Sequence, residues 1–198
     1  MSYYKHAVNK ITIGILALQG GFEAHASVLT QLNTPWRYVR TPTDLSNIQG
    51  MILPGGESST QLKLLQENGL FEALKKNIDA GMPFLGTCAG AILLAKHVHS
   101  PEQISLSAVD VTIERNAYGR QLDSHISYGH STLKDTPMEM FFIRAPKFSA
   151  IASDVTILAH YEKEPVCVQQ NARILATFHP ELTNDRTLHH YFLSTISK

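Results

Sequence analysis

The segment Phe84-Leu85-Gly86-Thr87-Cys88-Ala89-Gly90-Ala91-Ile92-Leu93-Leu94 constrains this chain more than any other. One apolar run passes through a glycine-flanked turn into a second, and the change from strand to helix falls on a cysteine. That is the layout of a nucleophile elbow with cysteine in place of serine. Gly86 and Gly90 permit close backbone packing where a Cβ would clash. Such a turn presents its thiol at the carboxyl end of a strand, where open α/β sheets place their active sites. The following helix aims its N-terminus at the thiol, and the Ala89 N–H can donate to an oxyanion. A buried cysteine at an ordinary strand–helix junction is the competing reading.

The surrounding pattern fits an α/β sheet. Residues 11–18 are nearly continuous apolar, as in a strand covered on both faces, and Gln19-Gly20-Gly21 breaks the run. Residues 22–32 read as a helix with Phe22, Ala26 and Leu29 on one stripe. Strands follow at 36–40 and 50–53, helices at 58–66 and 70–79, and a strand at 83–86 enters the Cys88 turn. The second half differs. Residues 109–114, 140–143, 155–161, 166–170 and 174–178 are strand-like and closely spaced, and helix returns only at 185–196. The expectation is one α/β domain over residues 1–198: a mostly parallel sheet between helical layers, with an antiparallel extension.

Composition narrows the function classes. The chain has 17 basic and 17 acidic residues and a formal net charge of zero, so no global field draws it to nucleic acid or to an anionic membrane. Residues 1–10 form a polar extension without the apolar core of a signal peptide. No stretch approaches the roughly 20 apolar residues of a membrane span. The two cysteines form no disulfide framework, which suits a reducing, cytoplasmic setting. His97 and His99 lack acidic or cysteine companions, so no metal site is expected.

The elbow needs a base. Phe178-His179-Pro180-Glu181 follows a strand-like run. Proline pushes the residue before it to extended geometry, and residues two apart on an extended chain face the same side. Glu181 then accepts from one His179 nitrogen and leaves the other for a thiol. A surface histidine is the plainer alternative, and it is the expectation for most of the other histidines. A third piece, Pro54-Gly55-Gly56-Glu57-Ser58-Ser59, follows a buried strand. Its glycines let backbone approach a ligand, and a free N–H there can complete an oxyanion hole. It lacks the GxxxxGK[ST] pattern of a phosphate loop.

These pieces sit among further landmarks: Leu16-Ala17-Leu18-Gln19-Gly20, Arg115-Asn116-Ala117-Tyr118-Gly119-Arg120-Gln121, Phe142-Ile143-Arg144-Ala145-Pro146 and Phe178-His179-Pro180-Glu181-Leu182-Thr183. Taken together, they make the chain resemble the class I, triad-type glutamine amidotransferases, and within them the glutaminase subunits of pyridoxal 5′-phosphate synthases. The resemblance implies a three-layer, flavodoxin-like fold. It implies Cys88 as nucleophile, His179 and Glu181 as the rest of the triad, and Gly56 and Ala89 as oxyanion-hole donors. Gly56, Glu57, Ser58, Arg115, Ile143 and Arg144 would line the L-glutamine site, with Arg115 on the α-carboxylate. Gln19 would couple partner docking to oxyanion-hole formation. No metal or organic cofactor is implied. The implied partner is a (β/α)8-barrel synthase subunit in a large hetero-oligomer, which receives the ammonia for vitamin B6 synthesis.

Without the resemblance, Arg115 and Arg144 read as surface ion-pair residues, Ile143 as core and Gln19 as a turn cap. Another ammonia-supplying glutaminase, a non-catalytic scaffold and a different cysteine hydrolase are the alternative functions. The intact Cys88, His179 and Glu181 argue against the scaffold. The His125-Ile126-Ser127-Tyr128-Gly129-His130 segment and Lys147 depart from the family pattern, which bears on partner contacts rather than on the reaction.

Overall fold

The computed structural model describes residues 11–115 and 124–196, and these described residues form twelve strands and five α-helices. The N-terminal extension and residues 116–121 of the Arg115 segment lie outside the described residues. In chain order the elements are β1 (Ile13–Leu16), α1 (Phe22–Gln31), β2 (Trp36–Val39), β3 (Gly50–Leu53), α2 (Ser58–Glu67), α3 (Leu70–Asp79), β4 (Phe84–Thr87), α4 (Ala89–Leu94), β5 (Ala95–His99), β6 (Val109–Glu114), β7 (His125–Ser131), β8 (Met138–Phe142), β9 (Lys147–Ile151), β10 (Thr156–Tyr161), β11 (Glu164–Gln170), β12 (Arg173–Ala176) and α5 (Thr187–Ile196).

The large sheet runs β2-β1-β3-β4-β12-β11-β10-β7-β8. From β2 to β12 the pairings are parallel, and from β12 to β8 they are antiparallel. The parallel sheet and its antiparallel extension are therefore both present, and the extension carries as many pairings as the parallel part. β5, β6 and β9 form a second, three-stranded sheet.

Strand periodicity explains why the parallel strands read as unbroken apolar runs. Alternate side chains point to opposite faces, and here both faces are buried. Ile13, Ile15, Ile52, Leu85, Ile174 and Ala176 enter one core with Ala26 and Leu29 of α1 and Leu188 and Phe192 of α5. Leu16, Met51, Leu53, Phe84 and Leu175 enter the other with Leu65 of α2, Leu74 of α3, Leu93 of α4 and Val111 of the small sheet. At roughly 1.5–3 kcal/mol for each fully buried large apolar side chain, both cores are needed to hold these strands in register.

Three strands have no counterpart in the sequence reading. β5 follows α4 without a break, so its start reads as more helix. β9 buries only Phe148. β7 buries Ser127, Gly129 and Ser131, so its inward face carries no hydrophobic signal. Gly129 is required there, because a Cβ would stand 2.5 Å from the His160 carbonyl oxygen on β10. No helix among the described residues is long and apolar enough to cross a membrane.

Candidate active site

Neighbouring parallel strands end side by side in the order β1, β3, β4, β12, and each contributes a loop to one cleft. Cys88 follows β4 directly, with its N–H donating to the Ala176 carbonyl of β12 (2.8 Å). Its backbone has φ 48° and ψ −104°, the left-handed side of the map that a non-glycine residue enters only when its surroundings enforce it. Packing does so here. A Cβ on Gly90 would lie 1.9 Å from the Leu53 carbonyl oxygen, and one on Gly86 would lie 2.7 Å from Gly90 backbone. The elbow is thus wedged against β3, as the flanking glycines predict.

His179 follows β12. Its backbone is non-helical (φ −108°), as the following proline demands. Pro180 then opens a 3₁₀ turn over Pro180–Leu182 instead of continuing the chain in extended form. The expected pairing is nonetheless made, by the turn: His179 Nδ1 lies 2.8 Å from Glu181 Oε1. That leaves Nε2 for Cys88, which lines the same cleft and helps to raise the His179 pKa. Cys88, His179 and Glu181 are all buried. Burial works to lower the His179 pKa, but the neighbouring Cys88 and Glu181 outweigh it and raise it to about 10. Burial also opposes the Glu181 charge, and the adjacent His25 and His179 prevail, holding that carboxyl down at about 2. Glu181 is an anion and His179 a proton carrier at neutral pH.

The loop after β3 lies against this pair. Gly55 is pinned on both sides: its N–H donates to Thr87 Oγ1 (3.1 Å) and its carbonyl accepts from Gly21 N–H (2.9 Å). A Cβ on Gly55 would sit 2.2 Å from His179 Cε1, so the imidazole rests directly on the loop backbone. Gly56 leaves space for Gln19, whose Oε1 a Cβ there would approach to 2.5 Å. Gln19 Oε1 accepts from the Glu57 N–H (2.9 Å), and Gln61 Nε2 donates to the Gln19 carbonyl (2.8 Å). Gln19 therefore spans from the β1 loop to the β3 loop, which is more than the turn cap of the plain reading.

Every site residue read from the sequence except Ala89 lines one cleft of about 400 Å³. Ligand pockets run from roughly 300 to 1,000 Å³, so this one suits a small metabolite. Ala89 adjoins Cys88 at the first position of α4, its side chain packed in the core. Arg115, after β6, pairs with Glu57 (Nη2–Oε1 3.1 Å) across the mouth. Ser58 Oγ donates to Gln103 Oε1 (3.1 Å). Ile143 and Arg144 follow β8, and Arg144 takes φ 42°. Gly21, Gly55, Ile92 and Leu182 also line the cleft. Of these, Gly55 could have been found from the Gly55-Gly56 pair, whereas Ile92 and Leu182 carry no signal beyond ordinary apolar character.

Two histidines that the sequence reading gave no role are buried behind the acid. His25 of α1 and His189 of α5 are both 0% exposed. His25 Nδ1 lies 3.0 Å from His189 Nε2, and His25 Nε2 lies 3.2 Å from Thr87 Oγ1 and 3.4 Å from Glu181 Oε2. Burial pushes both imidazoles below their usual pKa, His189 to about 3. Of the two cysteines, Cys167 is fully buried on β11, and burial raises its thiol pKa far above the usual range. Neither cysteine is in a disulfide. Among the described residues no cluster of three or more His, Cys, Asp or Glu side chains is placed to hold a metal ion.

The model of the SNO glutamine amidotransferase family matches residues 15–198. A protein of Koribacter versatilis named pyridoxal 5′-phosphate synthase subunit PdxT is 47% identical over 184 residues, 93% of this chain and 95% of its own length. The protein of the same name from Thermosipho africanus is 41% identical over 94% of this chain and 99% of its own. A crystal structure of a glutamine amidotransferase superposes with a TM-score of 0.88 at 39% identity, covering 94% of this chain and 99% of the other. PurLQS from Thermotoga maritima shares the fold at a TM-score of 0.70 and 14% identity, covering 93% of this chain and 98% of the other.

Proposed function

Because the chain belongs to the SNO glutamine amidotransferase family, we propose that it is the glutaminase subunit of a pyridoxal 5′-phosphate synthase, with Cys88, His179 and Glu181 as its catalytic triad. It hydrolyses L-glutamine to L-glutamate and ammonia. The observation that carries the triad is the His179 ring, which is bonded to Glu181 on one nitrogen and lines one cleft with Cys88, at the end of the neighbouring strand.

The chemistry follows from that arrangement. His179 holds a proton at neutral pH, and the Cys88 thiolate Sγ attacks the side-chain amide carbon of glutamine. The oxyanion forms against the backbone N–H groups of Gly56 and Ala89. His179 protonates the departing nitrogen, ammonia leaves and a thioester remains. Water then gives a proton to His179 and attacks the thioester. Collapse of the second tetrahedral intermediate breaks the C–S bond, releases glutamate and leaves the Cys88 thiolate beside protonated His179. Arg115 binds the α-carboxylate with a guanidinium suited to planar recognition. Glu57, Ser58, Ile143 and Arg144 complete the amino-acid pocket.

Ammonia is mostly protonated in neutral water and then a poor nucleophile, so such an enzyme is useful only when docked to an acceptor. The partner is a synthase subunit, a (β/α)8 barrel in a large hetero-oligomer, which takes up the ammonia. Gln19, bonded to the peptide beside Gly56, is the residue through which docking reaches the oxyanion hole. Two free cysteines accord with a reducing cytoplasm. The test is glutamate release from L-glutamine with and without the synthase: the wild type releases glutamate and Cys88→Ala does not. Turnover by Cys88→Ala at the wild-type rate would sink the assignment.

A further inference from the structure

The triad acid raises a question of hydrogen bonding. Glu181 Oε1 is taken by His179, but Oε2 is buried and has no hydrogen-bond partner of good geometry. Buried carboxylate oxygens require donors. His25 Nε2 is 3.4 Å away. Whether it can serve depends on its tautomer, which the surrounding network assigns.

Burial keeps His25 neutral, so it carries one proton. If that proton is on Nδ1, it points at His189 Nε2, which must then be bare. The His189 proton is forced onto Nδ1, a buried atom without a partner. A buried donor is orphaned, and Glu181 Oε2 faces a lone pair. If the His25 proton is on Nε2, His189 Nε2–H donates to His25 Nδ1 and His189 Nδ1 is merely a bare acceptor. The His25 Nε2–H then lies between Glu181 Oε2 and the Thr87 hydroxyl oxygen. Each arrangement strands one neutral donor, the His189 Nδ1–H in the first and the Thr87 O–H in the second, but only the second brings a donor to the buried carboxylate. An unmade hydrogen bond to a buried charge costs more than one to a neutral group, which decides between them.

We propose that His25 is a positioning residue for Glu181, directing its Nε2–H at Oε2, and that His189 fixes the tautomer that makes this possible. The triad then continues two residues into the core: Cys88, His179, Glu181, His25, His189. The outer pair never meets substrate; neither residue lines the cleft. Its effect is to keep the carboxylate turned toward His179 through both proton transfers. This inference rests on the triad roles proposed above.

The test uses the full chain with its synthase partner and separates the two ends of the His25 ring. An Asn amide reaches the position of Nδ1 and can still accept from His189, but presents nothing to Glu181. A Gln amide reaches the position of Nε2 and restores the donor. His25→Asn should lower kcat roughly tenfold with KM unchanged, the low end of what orienting partners behind a functional histidine are worth. It should also slow alkylation of Cys88 by iodoacetamide, followed on the Cys88 peptide. His25→Gln should recover most of both losses. Equal impairment in the two variants, or none in His25→Asn, overturns the proposal. If His25→Asn does not fold, His189→Leu and His189→Gln ask the same question: Leu removes the donor that sets the tautomer, and Gln replaces it. Equal rates in that pair overturn the proposal too. Alkylation needs no glutamine, so the two readings separate. A wild type without glutamate release refutes the glutaminase, while the alkylation order still decides the His25 role.

Discussion

Gly55→Ala is the sharpest test of how the base is held. The added methyl would sit 2.2 Å from His179 Cε1, against the 3.4 Å at which ordinary contact begins, so ring or loop must give by about 1.2 Å. The loop is the stiffer of the two, since Gly55 is bonded to Thr87 on one side and Gly21 on the other. Gly55 is not among the positive-φ glycines, so alanine adds no backbone strain of its own. The ring must therefore move, and it moves relative to Cys88. A misplacement of about 1 Å costs on the order of a hundredfold in rate, about 2.7 kcal/mol of transition-state stabilisation. Overpacking of this kind lowers stability by about 1–3 kcal/mol, which two such cores can absorb. The assay is steady-state glutamate release with the synthase present, alongside thermal unfolding of the same samples. A folded Gly55→Ala protein that keeps most of the wild-type kcat would refute the reasoning, because the ring would then tolerate displacement.

Three further outcomes follow from the same packing and charge arrangement. Gly90→Ala places a Cβ 1.9 Å from the Leu53 carbonyl oxygen, a backbone atom, so it should yield little cooperatively folded protein, and a normal melting profile would contradict the wedge. Arg115→Lys replaces a planar fork with a point charge, so KM for glutamine should rise severalfold while kcat changes little; a fall in kcat at constant KM would move Arg115 out of substrate binding. Stability should fall as pH drops from about 6.5 toward 3, where the unfolded chain protonates His189 and the folded chain, with that pKa lowered to about 3, does not. Each such proton contributes about 1.4 kcal/mol per pH unit, so His189→Gln should flatten the acid limb of an unfolding series, and an unchanged slope would show that His189 does not stay neutral in the fold.

Much of the architecture was legible because the strands that carry the site are buried on both faces, and a strand with apolar neighbours above and below has no freedom to be polar. The elbow was legible for a different reason: Gly86 and Gly90 are imposed by backbone contacts that admit no Cβ. His179 and Glu181 were found through the proline between them, although a 3₁₀ turn, not an extended chain, delivers the contact. What remained hidden was hidden by chemistry. β7 turns Ser127, Gly129 and Ser131 inward, so its pattern looks like a polar loop. His25 and His189 lie far apart in sequence, and a histidine satisfied by another histidine leaves no local mark. The long-range pairing of α1 with α5 is what makes them a unit, and periodicity within either helix cannot report it.

Thr87, the residue before the nucleophile, has a consequence that reaches past its own strand. Its hydroxyl oxygen accepts the Gly55 N–H and also lies 3.2 Å from His25 Nε2. One buried atom thus serves as the common datum from which the oxyanion loop and the acid column are both measured. If β4 shifts along its axis, the two halves of the catalytic apparatus travel with it together, and their spacing is preserved. Valine at this position keeps the shape and the strand but removes the datum, leaving the two halves free to drift apart while each remains internally intact.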